Sequence, residues 1–165
     1  MATVIHKQTK LDWSRVPEAE LRDGLAQQFE YAVAEYGSSN LDTALYAAYE
    51  PLCPAAEALR QLRCELKMRW FSEQRRSLVV MEPRAGRASA QLAANLAIAF
   101  SQTGERTLLV DTNLRTPRQR ELFGLAEEEG LAQILAGQLP LAVGLVSVPG
   151  FPQLSVLGAG NAVPN

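Results

Sequence analysis

The chain has 165 residues, 47% of them hydrophobic and 21% charged, which suits one globular domain with a sizeable core. Its net charge of −2 argues against nucleic acid as a partner, and two cysteines (Cys53, Cys64) with a single His6 argue against structural zinc and fit a reducing compartment. No apolar run reaches the about 18 residues of a membrane span, and MATVIHKQTK lacks the apolar centre of a secretion signal; the expected location is cytoplasmic, with a peripheral position at the inner membrane left open.

Residues 1–16 read as a loose arm. From Pro17 to Gly37, apolar Leu21, Leu25, Phe29 and Val33 recur every four residues, the mark of an amphipathic helix with Pro17 in its first turn and Gly37 as its stop. GSSN is a loop, the stretch 40–49 is ambiguous, and Pro51 and Pro54 break the chain after it. AAEALRQLRCELKMRWF reads as a helix, with Leu59, Leu62, Leu66 and Trp70 as its apolar stripe. After it the pattern alternates. SLVVM is expected as a buried strand, 89–103 as a helix ended by Gly104, and RTLLVD as a second buried strand. RQRELFG and GLAQILAG read as short helices, GLVSV and LSVLGAG as short strands. Strands alternating with helices predict an α/β fold with a parallel, doubly wound sheet covered on both faces. The expected division is residues 1–50 as arm and helical segment and residues 51–165 as the α/β domain.

Three stretches could carry chemistry. In MEPRAGRASAQ a strand leads through one glycine, Gly86, into a helix. A phosphate loop needs glycines to close backbone N–H groups around phosphates, a lysine to neutralise them and a Ser/Thr hydroxyl for Mg²⁺. No lysine precedes Ser89. Arg84 and Arg87 offer charge in a less compact form, and the helix start around Ala88–Ala90 can attract an anion. Taken alone, the stretch reads as an ordinary strand-to-helix turn before it reads as a phosphate loop. In LLVDTNLR, Asp111 ends a strand where open α/β sheets display ligand-binding residues; its alternative role is to cap the next turn. Asn113, being neutral, serves metal or proton poorly, and Arg115, Arg118 and Arg120 follow as a basic cluster. In AEALRQLR, Glu57, Arg60 and Arg63 share one helix face, as a subunit-pairing surface or as a solvated intrahelical pair. Arg60, Arg63, Arg69, Arg75, Arg76, Arg84 and Arg87 give the middle of the chain a basic bias, read as solvated faces or as a partner surface.

EALRQLRCEL, LAANLAIAFSQTGERTLLVDTNLRTPRQRELFGL, GLAQILAG and PGFPQLSVLGAG, in that order, resemble the bacterial tyrosine kinases of exopolysaccharide and capsule assembly, and most of all the stand-alone kinases that accompany chain-length-determinant proteins. That family falls in the deviant P-loop group with the MinD and ParA ATPases. The resemblance runs from about Tyr49 to the end, more weakly from Glu18. It implies ATP or ADP with Mg²⁺ as cofactors, self-association or pairing with a related kinase, and a membrane chain-length-determinant protein as partner. It places Glu57, Arg60 and Arg63 in an E-x-x-R-x-x-R association motif, and Asp111 and Asn113 on the two acidic positions after the second strand, with Asp111 as the catalytic or Mg²⁺-holding carboxylate. It lays the phosphate loop on Gly86, Arg87, Ala88, Ser89 and Ala90. There the second glycine is Ala88, the basic residue is Ser89 and the metal-binding hydroxyl is Ala90; one acid is Asn113, and LGAGNAVPN ends before the family's Walker B strand. Phosphoryl transfer rests on positioned charge and metal, and each such element is worth about two powers of ten or more. The expected function is therefore that of a degenerate kinase-like domain acting through protein contacts, with no cofactor; the alternative is an ATP-dependent protein tyrosine kinase or ATPase, weakly active or completed by a partner.

Overall fold

The computed structural model describes residues 2–7, 41–72, 74–83, 86–125 and 129–161. The amphipathic pattern of residues 17–37 lies outside them. In chain order the elements are β1 (Ala2–Lys7), α1 (Tyr46–Tyr49), α2 (Pro54–Arg69), β2 (Ser77–Val80), α3 (Ala88–Ser101), β3 (Arg106–Asp111), α4 (Gln119–Phe123), α5 (Leu131–Leu135), α6 (Leu141–Gly144), β4 (Val146–Val148) and β5 (Phe151–Leu157).

The centre of the molecule is α3. In ASAQLAANLAIAFS no side is polar, so the helix cannot lie on a surface; 11 of its 14 residues are buried. Alanines at 90, 93, 94, 97 and 99 let neighbours approach closely, and α3 packs across the sheet with α1 and α2 against it. Leu96, Ile98 and Phe100 join Leu109, Leu154 and Val156 in the core. Phe71 meets Phe100 edge to face, ring centroids 5.4 Å apart. One polar side chain sits among them. Asn95, fully buried, accepts from Ala47 N (2.9 Å) and donates to the carbonyls of Ala44 and Gln91 (2.9 Å each), so it fixes α1 to α3.

α2 begins at Pro54, which loses nothing at a helix's first turn. Of its expected stripe, Leu59 is buried and Leu66 packs on the core, while Leu62 and Trp70 remain exposed. Arg63 donates to the carbonyl of Ala99 (2.7 Å), one of the last-turn carbonyls of α3 that have no helical partner. Lys67 pairs with the buried Glu105 (2.5 Å), clamping α2 to the entry of β3.

The five strands run in the order β2-β1-β3-β5-β4. Two expectations are corrected here. Residues 2–7, read as part of a loose arm, form a strand inside the sheet, aligned with Val79 and Val110 at Thr3. Its Thr-Val-Ile run is β-branched and favours extended backbone. The sheet is also mixed rather than parallel: β1 is antiparallel to both neighbours, β4 is antiparallel to β5, and only β3 with β5 is parallel. The reason is the β2–α3–β3 crossover, which skips one strand position. That skip leaves two inner edges of unpaired N–H and C=O groups, and β1 satisfies both. A smaller correction concerns β2. Expected as a buried strand, it lies at the sheet's edge, alternating exposed and half-buried residues. α1 fills part of the ambiguous stretch, and α6 occupies residues before β4 to which the sequence pattern assigned no element, except that it takes Gly144 from the expected strand GLVSV.

Candidate functional site

Because β1 is antiparallel to β2 and to β3, those two strands run in the same direction, and β5 runs with them. Their C-terminal ends therefore open on one side of the sheet, where α/β proteins place ligands. Three loops meet this side: residues 81–83 and 86–87 after β2, residues 112–118 after β3 and residues 158–161 after β5.

The first loop leads into α3. Arg87 is its N-cap residue, without a side-chain cap, and Gly86, Arg87 and Ala88 are exposed; Ser89 and Ala90 are buried. Arg84 falls outside the described residues. The occupant of the helix start is a residue that no motif points to. Glu82, the second residue after β2, turns its carboxylate onto it: Oε1 accepts from Ser89 Oγ at 3.1 Å and faces Ser89 N at 3.5 Å. Gly86 is pressed against the same carboxylate, since a Cβ there would stand 2.7 Å from Oε2. The only sequence signal was position, an acid between a strand and a helix start, where acids complement the dipole.

In the second loop Asp111 is buried, 2% exposed, and both of its oxygens are engaged. Oδ1 accepts from Asn113 N (3.0 Å); Oδ2 accepts from Arg118 N (2.8 Å) and Gln119 N (3.0 Å). This is the capping geometry weighed from the sequence, and it also starts α4. Asn113 continues the turn. Its Oδ1 accepts from Thr116 N (3.0 Å) and Arg115 N (3.3 Å), and its Nδ2 donates to Thr116 Oγ1 (2.9 Å). Arg118 pairs with Glu121 (2.9 Å), and Arg120 donates to the Leu125 carbonyl (3.3 Å).

Gln119 connects the two loops. It is fully buried, its Nε2 donates to Ala90 O (3.1 Å), and its Oε1 is buried without a partner. Its place was readable as a helix position: Gln119, Leu122 and Phe123 share one buried face of α4. The third loop is fixed by α5, whose Leu131 N and Ala132 N donate to the carbonyls of Gly158 (2.8 Å) and Ala159 (2.9 Å), while Gln133 Nε2 reaches Asn161 O (2.9 Å).

The structure thus brings Gly86, Ser89, Ala90 and Asp111 to one end of the sheet. It keeps Glu57, Arg60 and Arg63 apart, on α2. Glu57 and Arg60 form an intrahelical ion pair (2.6 Å), Arg60 also donates to the Pro51 carbonyl, and Arg63 serves α3. Among the described residues no helix is long and apolar enough to cross a membrane.

No protein-family model matches the chain. Curated relatives do. It is 28% identical to the tyrosine-protein kinase YwqD of Bacillus subtilis over 134 residues, 81% of this chain and 56% of that protein. It is 35% identical to the tyrosine-protein kinase Wzc of Salmonella typhi over 98 residues, 59% of this chain and 14% of that protein. Among solved structures, the chimerical protein CapA2B2 shares 29% sequence identity with a TM-score of 0.64, covering 75% of this chain and 54% of the other. The chain thus spans about half the length of the shorter of these relatives and a small part of the longer one. Sequence and fold together place it among the homologues of the bacterial tyrosine kinases associated with exopolysaccharide.

Proposed function

We propose that the chain is a degenerate, tyrosine-kinase-like P-loop domain of bacterial exopolysaccharide biosynthesis or chain-length regulation, acting through protein contacts without efficient phosphoryl transfer. The observation that carries this reading is the seat of the Glu82 carboxylate, against Gly86 and Ser89 at the start of α3. A nucleotide phosphate would need that helix start with positive charge beside it. Two unit charges about 4 Å apart repel by roughly 4 kcal/mol at the effective dielectric of a protein surface, about a thousandfold in affinity. The other positions agree. Ser89 supplies no positive charge, Ala90 no hydroxyl, and Asp111 has both oxygens committed to backbone N–H groups. These residues do not fit a Mg²⁺–nucleotide complex. The partners consistent with this reading are a second copy, a related kinase or a membrane chain-length-determinant protein, met at the cytoplasmic face of the membrane.

The alternative is an ATP-binding tyrosine kinase with an atypical loop, completed by a partner. What favours it is the Asp111–Gln119–Ala90 connection, which keeps strand end and helix start assembled as one site. Calorimetric titration with ATP, ADP and Mg²⁺ separates the two, with Gly86→Asp as control. No binding up to millimolar nucleotide is expected. Micromolar binding that disappears in the Gly86→Asp variant would overturn the proposal and establish the alternative.

A further inference from the structure

At the end of the strands opposite the candidate site lies a groove of about 370 Å³, a volume within the range of small-molecule sites. It is lined by Arg106 and Leu108 of β3, by Pro152, Gln153 and Ser155 of β5, and by Leu145 just ahead of β4. Side chains alternate between the two faces of a sheet. Leu109, Leu154 and Val156 point into the core beside α3, so Leu108, Gln153 and Ser155 point to the other face. Leu108 and Ser155 are register partners, and Arg106 and Gln153 each stand two residues before them. The groove therefore has a polar end at the start of the strands and an apolar wall of Leu108, Leu145 and Pro152.

The charge at that polar end is unbalanced. Arg60, Lys67, Arg69 and Arg118 each meet a carboxylate, whereas among the described residues Arg106 meets none, and no acid lines the groove. Lys7 of β1 is the register partner of Arg106. Like charges directly opposite each other in an antiparallel pair are destabilising, and an anion beside them offsets the repulsion. We propose that the groove binds a small organic oxyanion, a carboxylate or phosphate monoester headgroup carried on an apolar body. The Arg106 guanidinium presents its planar fork of N–H donors to the headgroup, a geometry that suits either oxyanion. The Gln153 amide and the Ser155 hydroxyl, which no side-chain hydrogen bond engages among the described residues, add donors. The apolar body lies along Leu108, Leu145 and Pro152. This site is separate from the start of α3, and the inference holds whether or not nucleotide binds there.

The full chain can be titrated with benzoate and with phenyl phosphate while its backbone amides are followed by NMR, with benzyl alcohol as the neutral control. Saturable shifts at Leu108, Gln153 and Ser155, and none from Gly86 to Ala90, are expected at millimolar concentration or below. Saturation by either probe supports the site, and the tighter of the two names the headgroup. Arg106→Gln should weaken binding at least about tenfold. Ser155→Leu, which fills the groove and leaves its charge alone, should abolish it. Arg69→Gln, whose side chain is 80% exposed on α2, should bind like the parent. Because Arg106→Gln also removes a like-charge pair, its melting temperature at low ionic strength should equal or exceed the parent's. No saturable shift with either probe, equal binding of benzyl alcohol, undiminished binding in the Arg106 or Ser155 variant, or a lower melting temperature for Arg106→Gln would each overturn the proposal.

Discussion

At the scale of single residues, the two carboxylates of the candidate site are explained by the groups they hold, backbone N–H for Asp111 and the Ser89 hydroxyl for Glu82. Asp111 accepts three N–H groups from inside the fold, at 2.8 to 3.0 Å. Removing an acceptor from buried donors costs about 1–3 kcal/mol. Asp111→Ala is therefore expected to lower stability by roughly that amount in urea unfolding, and Asp111→Asn by less, since one amide oxygen still accepts from Arg118 and Gln119. If Asp111 instead held Mg²⁺ for catalysis, both variants would abolish nucleotide binding alike while differing little in stability. The capping role of Asp111 was legible in the sequence, because an Asp followed two residues later by a turn has a local partner. Glu82 and the connection of Gln119 to Ala90 were not. Those contacts join residues separated by 7 and 29 positions, and no local periodicity encodes them.

At the scale of elements, the helix most legible in sequence was α3, because an Ala/Leu run flanked by strands has few alternatives. β1 was the least legible. Its six residues carry β-branched propensity, but their place is set by a gap that the β2–α3–β3 crossover creates far away in sequence. The same logic governs the loop after β5, where Gly130 and Gly158 approach so closely that a Cβ on Gly130 would stand 2.3 Å from the Gly158 carbonyl oxygen. That atom is backbone and cannot swing aside. Gly130→Ala must push β5's exit loop away from the first turn of α5, breaking the Leu131 and Ala132 hydrogen bonds. Overpacking of this kind costs about 1–3 kcal/mol. The expected readout is faster hydrogen exchange at Leu131 and Ala132 together with a lowered melting temperature; unchanged protection at both amides would refute the close approach.

At the scale of the whole molecule, charge reversal along the α2 motif separates an assembly face from a helix surface that only serves the fold. Arg60 sits on the surface, 32% exposed and paired with Glu57. Reversing it creates a like-charge pair one turn apart, worth about 0.2–0.5 kcal/mol, and gives up the bond to the Pro51 carbonyl, worth about 1 kcal/mol, so Arg60→Glu should stay folded and report on assembly once its melting curve is matched to the parent. Arg63 differs, because its guanidinium holds a last-turn carbonyl of α3. Arg63→Glu places a negative charge at a helix C-terminus and removes that bond, a combined loss of about 1–2 kcal/mol. The E-x-x-R-x-x-R face is not self-complementary about an axis at its centre, since that operation sets Arg63 opposite Glu57 but Arg60 opposite Arg60. An assembly built on it would favour a head-to-tail contact, which closes into a ring or grows open-ended. If α2 carries an association, Arg60→Glu lowers the mass seen by light scattering at a fixed concentration, and an unchanged mass would count against that face. Melting curves separate the fold cost of Arg63→Glu from any loss of contact.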